Sequence, residues 1–208
     1  MEQEEKNNHG SLSSTERVSI RKAFDSDIRP FLGGKDIPPN LGTSAPGSLR
    51  QSEKERGYLL TDNVTLAIAA ISRNTGWTME SPQMVYVCGN YLETRMKEKA
   101  SFLESRIAGL ENGDRKFITS EDKERMRKRE EDEYKKLKET YEVFSSNLEK
   151  YARQNFSEEL IKLLNVILNV KSVGFYEAKE KVYKLIAEGR LSEACEILTA
   201  VGAPPKVC

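Results

Sequence analysis

The chain has 208 residues, 38% of them hydrophobic and 32% charged, with 33 Lys+Arg set against 33 Asp+Glu. A domain of about 150 residues buries roughly 70% of its unfolded surface, so a sizeable core is within reach; the polar composition predicts that part of the chain stays outside it. Balanced charge argues against a protein devoted to neutralising phosphates, because such proteins draw their affinity from a cationic excess and the counterions it releases.

Residues 1–13 read as a disordered tail. Ser14 is the expected N-cap of a short helix over 15–28, with Ile20, Phe24 and Ile28 at helical spacing and Pro30 as its stop. From Pro30 to Ser52 the text is rich in Pro and Gly and predicts an extended arm, whose Phe31, Leu32, Ile37, Leu41 and Leu49 can lie across another surface. Order is expected to resume near Tyr58. Asp62 reads as the cap of a helix closed by Asn74-Thr75-Gly76 and apolar on most faces, which suits a central position.

Ser81-Pro82 combines a hydroxyl cap with proline at the first helical position and opens a helix to Asn112-Gly113, about 45 Å long. Its buried stripe is predicted as Leu92, Met96, Ala100, Leu103, Ile107 and Leu110. Gly89 either weakens this helix or permits a close crossing. A second long helix, capped by Thr119 or Ser120, runs to about Gln154. Within it Tyr134, Leu137, Tyr141, Phe144, Leu148 and Tyr151 alternate spacings of three and four, the rhythm of a coiled-coil seam. Two readings of that stripe stand side by side: antiparallel packing on the 82–112 helix, or self-association. Extended backwards the register meets Glu130, Arg127 and Lys123, so the seam is expected to begin at Tyr134. The charged half before it reads as a solvated projection with pairs such as Glu131 to Lys135 and Asp132 to Lys136.

The last fifty or so residues predict three short helices: one from Ser157 through Leu160, Leu163, Leu164, Ile167 and Leu168, broken at Gly174; one with Ala178, Val182, Leu185 and Ile186, ending at Gly189; and one with Leu191, Ala194, Cys195, Leu198 and Val201, ending at Gly202. Residues Gly189 to Ala194 resemble the turn of a tetratricopeptide helical hairpin, but no stacked repeats accompany it. No segment shows the period-two alternation of a strand.

Chemistry is sparse. The only histidine, His9, sits in the tail, where nothing holds it against a nucleophile. Neither H-E-x-x-H, a calcium loop nor a glycine-rich phosphate loop occurs, and Gly33-Gly34-Lys35-Asp36 reads as a turn. Cys88, Cys195 and Cys208 are an odd set without C-x-x-C spacing, which predicts free thiols and an intracellular, reducing compartment, the cytoplasm or the nucleus. Met1 to Gly10 lacks an apolar h-region, and no stretch approaches a membrane span. The basic run Lys123, Arg125, Arg127, Lys128 and Arg129 has acidic neighbours on nearly every side, which leaves little net field for nucleic acid.

These readings converge on an all-α fold. An extended or disordered N-terminal arm (1–57) precedes a core helix with a long antiparallel helical hairpin (58–155) and a small three-helix C-terminal module (156–208). The expected function is a non-enzymatic scaffold without cofactor or metal, which binds a protein partner or a second copy of itself through the 134–151 seam. The alternative is a coat or nucleocapsid-like subunit that contacts nucleic acid and straps its arm across a neighbouring copy. No membrane partner is expected.

Overall fold

The computed structural model of the chain describes residues 12–36, 38, 41, 62–112, 119–168 and 173–202. The tail with His9, the arm residues Ile37 and Leu49, and the Gly113-Asp114 turn lie outside that set. All regular structure among the described residues is helical: α1 (Ser14–Ile28), a 3-10 turn (Arg29–Leu32), α2 (Asp62–Thr75), α3 (Pro82–Asn112), α4 (Ser120–Asn155), α5 (Glu158–Leu164), α6 (Val173–Ala187) and α7 (Leu191–Ala200). No helix among them is long and apolar enough to cross a membrane.

Local chemistry sets the helix starts. The cap of α1 is Ser13, one residue earlier than expected. Its hydroxyl accepts the Glu16 N–H at 3.2 Å while the Glu16 carboxylate accepts the Ser13 N–H at 2.8 Å, a reciprocal capping box. The Ser13 hydroxyl also donates to that carboxylate and holds its pKa below the usual range. Thr119 caps α4 through the Asp122 N–H, and Ser157 caps α5 through the Leu160 N–H. Asp62 lies inside α2 rather than before it.

Pro30 does not simply end α1. It begins a 3-10 turn that Gly33 closes at φ 57°, a left-handed conformation that L side chains rarely adopt. A Cβ at Gly33 would also stand 2.8 Å from Val143 of α4, so glycine lets the arm lie flat against that helix. Asn147 fastens it there by donating to the Phe31 carbonyl at 2.9 Å. Phe31, Leu32 and Leu41 are buried within the chain's own core.

Two features of the C-terminal helices differ from expectation. The helix opened by Ser157 stops at Leu164, because Asn165 caps it and turns its side chain towards α3 instead of continuing the apolar stripe to Leu168. Gly174 breaks nothing. It sits inside α6, where a Cβ would lie 3.3 Å from Val201, so the small residue serves close packing on the end of α7. The cysteines divide as well. Cys88 is free and fully buried, with its thiol pushed up by desolvation, whereas Cys195 is disulfide-bonded. The free-thiol expectation is therefore corrected for Cys195, and a reducing compartment draws no support from it.

The longest contact in the fold joins α3 and α4, which run in opposite directions: Glu93 meets Ser145, Lys99 meets Glu133 and Arg106 meets Glu130. α1 lies on α2 and α3, α2 on α6, α6 on α7, and α5 on α3 and α7. One continuous core threads all of them, from Phe24 and Ile28 through Ile68, Met84, Leu92 and Phe144 to Val182 and Leu198. Gly89 lies at a close crossing of α3 and α4. A Cβ there would fall 2.6 Å from Leu148 Cδ1 and 3.6 Å from Ile28 Cδ1.

Candidate functional site

The 134–151 stripe, read either as packing on the 82–112 helix or as self-association, lies against the chain's own helices. Leu137, Phe144 and Leu148 are buried in the core, with 2% exposure at most. Tyr134 and Tyr141 are half-buried and donate hydroxyl protons to Glu104 and Glu93 of α3. Tyr151 belongs to an aromatic ladder: Phe31 lies edge-on to both Phe144 and Tyr151, at 5.9 and 5.3 Å between centroids, and Phe156 links Tyr151 to Tyr86. Such geometry is worth roughly 0.5–1.5 kcal/mol per pair beyond area burial. The structure thus brings all six seam residues together, against α3 and the 3-10 turn.

The seam does not begin at Tyr134. Glu130, one heptad before Leu137, is buried at 8% exposure and pairs with Arg106 at 2.8 Å. Lys99 reaches Glu133 at 2.6 Å. Around Glu130 and Glu133 α4 therefore still lies along α3, joined to it by ion pairs, where the sequence predicts a solvated projection. The expected pairs Glu131 to Lys135 and Asp132 to Lys136 do not form; Glu131 instead lies 3.7 Å from Arg127.

Two grooves flank the α3–α4 pair. The first, about 710 Å³, lies between α3, α4 and α5. On its wall Glu93 Oε1 receives the Ser145 hydroxyl at 2.6 Å and the Tyr141 hydroxyl at 3.4 Å, with the Lys97 ammonium at 3.5 Å. Deeper in, Asn165 Oδ1 accepts the Tyr86 hydroxyl at 2.6 Å and the Asn90 amide at 3.0 Å. Desolvation, reinforced by the Glu93 charge, pushes the Tyr86 phenol up to about 12, so it stays a proton donor at neutral pH. These groups spend their hydrogen bonds on one another, as befits a framework joining three helices.

The second groove, about 930 Å³, lies between the arm, α4 and Lys99 of α3. Among the described residues six cationic and four acidic side chains line it. Glu133 is taken by Lys99, Glu139 lies 3.7 Å from Lys35, and Arg125 turns to Asp122 at 2.5 Å. Lys128, Arg129 and Lys136 have no ion-pair partner among the described residues, and neither do Asp36 and Asp132. On a chain of zero net charge this gathers free cations on one face. The basic run is legible in the sequence, but which of its members stay unpaired is not, since that depends on Lys99 and Lys35, both distant in the chain. Among the described residues no group of three or more His, Cys, Asp or Glu side chains is arranged to hold a metal ion.

No protein-family model matches the chain, and no curated protein or solved structure gives a match to it.

Proposed function

We propose that this chain is a non-enzymatic helical scaffold or adaptor that acts through protein–protein contacts, self-association among them. In this reading an N-terminal arm (1–57) precedes a core helix with a long antiparallel helical hairpin (58–155) and a three-helix C-terminal module (156–208). The opposed pairing of α3 with α4 supports the hairpin. The observation that carries the functional reading is α4 itself: 36 residues, about 54 Å, with one face sealed into the chain and an outer face that keeps unpaired charges beside an open groove. Because Leu137, Phe144 and Leu148 are already covered, contacts with partners fall to that outer face rather than to the seam.

The test is affinity enrichment of the tagged full-length chain from its source cells beside Lys128→Glu/Arg129→Glu. A protein partner near equal stoichiometry, lost in the variant and insensitive to nuclease, is expected. Sedimentation of both proteins at tens of micromolar reads self-association. Absence of any protein partner together with a strict monomer would remove the reading.

A second reading, a coat-like subunit on nucleic acid, gains from the same unpaired cations. Asp36 and Asp132 weigh against it by standing among them. The expected strap across a neighbouring copy has no support from Phe31, Leu32 and Leu41, which lie on the chain's own core.

A further inference from the structure

The geometry points to the groove between the arm and α4 as a docking site for an extended acidic peptide segment of another protein, one that carries a basic residue between two acidic ones. This inference rests on the adaptor reading and adds the chemistry of the partner.

Two observations select that chemistry. First, the unpaired charges alternate along α4: Lys128, Asp132 and Lys136 follow at intervals of four residues, about 6 Å each along the helix axis. Same-side side chains of an extended peptide repeat at about 6.6–6.8 Å. A sequence of the form Glu-x-Lys-x-Glu therefore meets cation, anion and cation in turn, while Arg129 beside Lys128 keeps the whole site net positive. Second, among the described residues the wall holds no aromatic side chain. A single nucleic-acid strand would find no platform for its bases, and its uniform line of phosphates would face Asp132 and Asp36.

The test is fluorescence anisotropy on the full-length protein with three labelled probes: a nonapeptide containing Glu-Leu-Lys-Leu-Glu, the same peptide with its charges reversed, and an oligothymidylate of similar length. The acidic peptide should bind best, and more weakly as salt rises. Lys128→Glu/Lys136→Glu should weaken it by about tenfold, the effect of two exposed ion pairs turned repulsive. Lys181→Glu/Lys184→Glu, on the exposed face of α6, should leave it unchanged. All four lysines are exposed, so circular dichroism should read the same for every variant. As an independent check, Asp132→Lys should shift preference towards a peptide with Glu at the central position.

Equal binding of the reversed peptide, or a Lys128→Glu/Lys136→Glu variant that binds as well as the parent, would overturn the assignment. So would an oligothymidylate that binds more tightly, which would favour the nucleic-acid reading instead. If the peptide fails while the full chain still enriches a protein partner, the groove assignment falls and the adaptor reading stands.

Discussion

Gly89 and Gly109 both lie on α3, and replacing each with alanine isolates the helix crossing from helix propensity. In a helix interior, alanine is favoured over glycine by about 1 kcal/mol. At Gly109 a Cβ meets nothing within 4 Å, so Gly109→Ala should realise most of that gain. At Gly89 the same methyl would sit 2.6 Å from Leu148 Cδ1 and 3.4 Å from its Cδ2, and both Leu148 and the neighbouring Ile28 are fully packed. Overpacking a filled site costs about 1–3 kcal/mol, which outweighs the propensity gain and leaves a net loss of about 1 kcal/mol. For a chain of this size each kcal/mol moves Tm by roughly 2–4 °C. Scanning calorimetry should therefore place Gly89→Ala about 2–4 °C below the parent and Gly109→Ala a similar amount above it. Shortening the obstructing side chain in Gly89→Ala/Leu148→Val should recover part of the loss, a coupling that two independent sites would not show. Equal stabilisation by both alanines would refute the close crossing and with it the packing of α4 described above.

Arg106→Ala leaves the buried Glu130 without its cation, and urea melts should show a loss of about 1–3 kcal/mol, reduced in the Arg106→Ala/Glu130→Gln double variant. Asn165→Ala strips the acceptor from Tyr86 and Asn90 together. The expected cost is about 1–3 kcal/mol in the same melts, with faster amide exchange in α5, and an unchanged midpoint would contradict the framework role of that groove. Asp27 is half-buried without a hydrogen bond or ion pair among the described residues, and desolvation first, then the Glu80 charge, raises its pKa. A raised carboxylate favours the folded state only while protonated, so its contribution is present at acid pH and lost as pH climbs through the folded value. Asp27→Asn should accordingly raise Tm at pH 7 and give no gain near pH 3; a loss at pH 7 would show that the charge has a stabilising partner.

The legible parts of the fold were those written within a few residues. Ser157 announces its helix by a hydroxyl three positions from the N–H it receives, and the Leu137, Phe144, Leu148 stripe announces a buried face by spacing alone. What covers that face is not local information, and the same six residues fit a second copy as well as they fit α3 and Phe31. Gly174 shows the opposite failure. Its residue type signals a break, yet its use is a contact with Val201, set by how α6 meets α7. Register places Glu130 on the seam while its charge argues against burial there, because the partner that makes its burial tolerable, Arg106, lies on another helix. The groove follows the same logic: Lys128 and Lys136 are free only because Lys99 and Lys35 take up Glu133 and Glu139.

The change in character along the α3–α4 pair ties these findings together. From Met84 to Leu92 nearly every side of α3 is buried, because α1, α4 and α5 surround it. Beyond Met96, among the described side chains, only Leu103 and Leu110 remain fully covered, and Phe102 stands 54% exposed. An apolar seam continued along this stretch would have presented broad hydrophobic surface to water, a liability for a chain in isolation. Ion pairs such as Lys99–Glu133 and Arg106–Glu130 align the two helices there with much less of it. The cost is a weaker seal than apolar packing gives, since Arg106 and Glu133 keep part of each pair open to solvent and to screening by salt. A peptide lying between the arm and α4 would supply the third layer that this stretch lacks, and its charges would meet cations that the chain itself leaves unanswered.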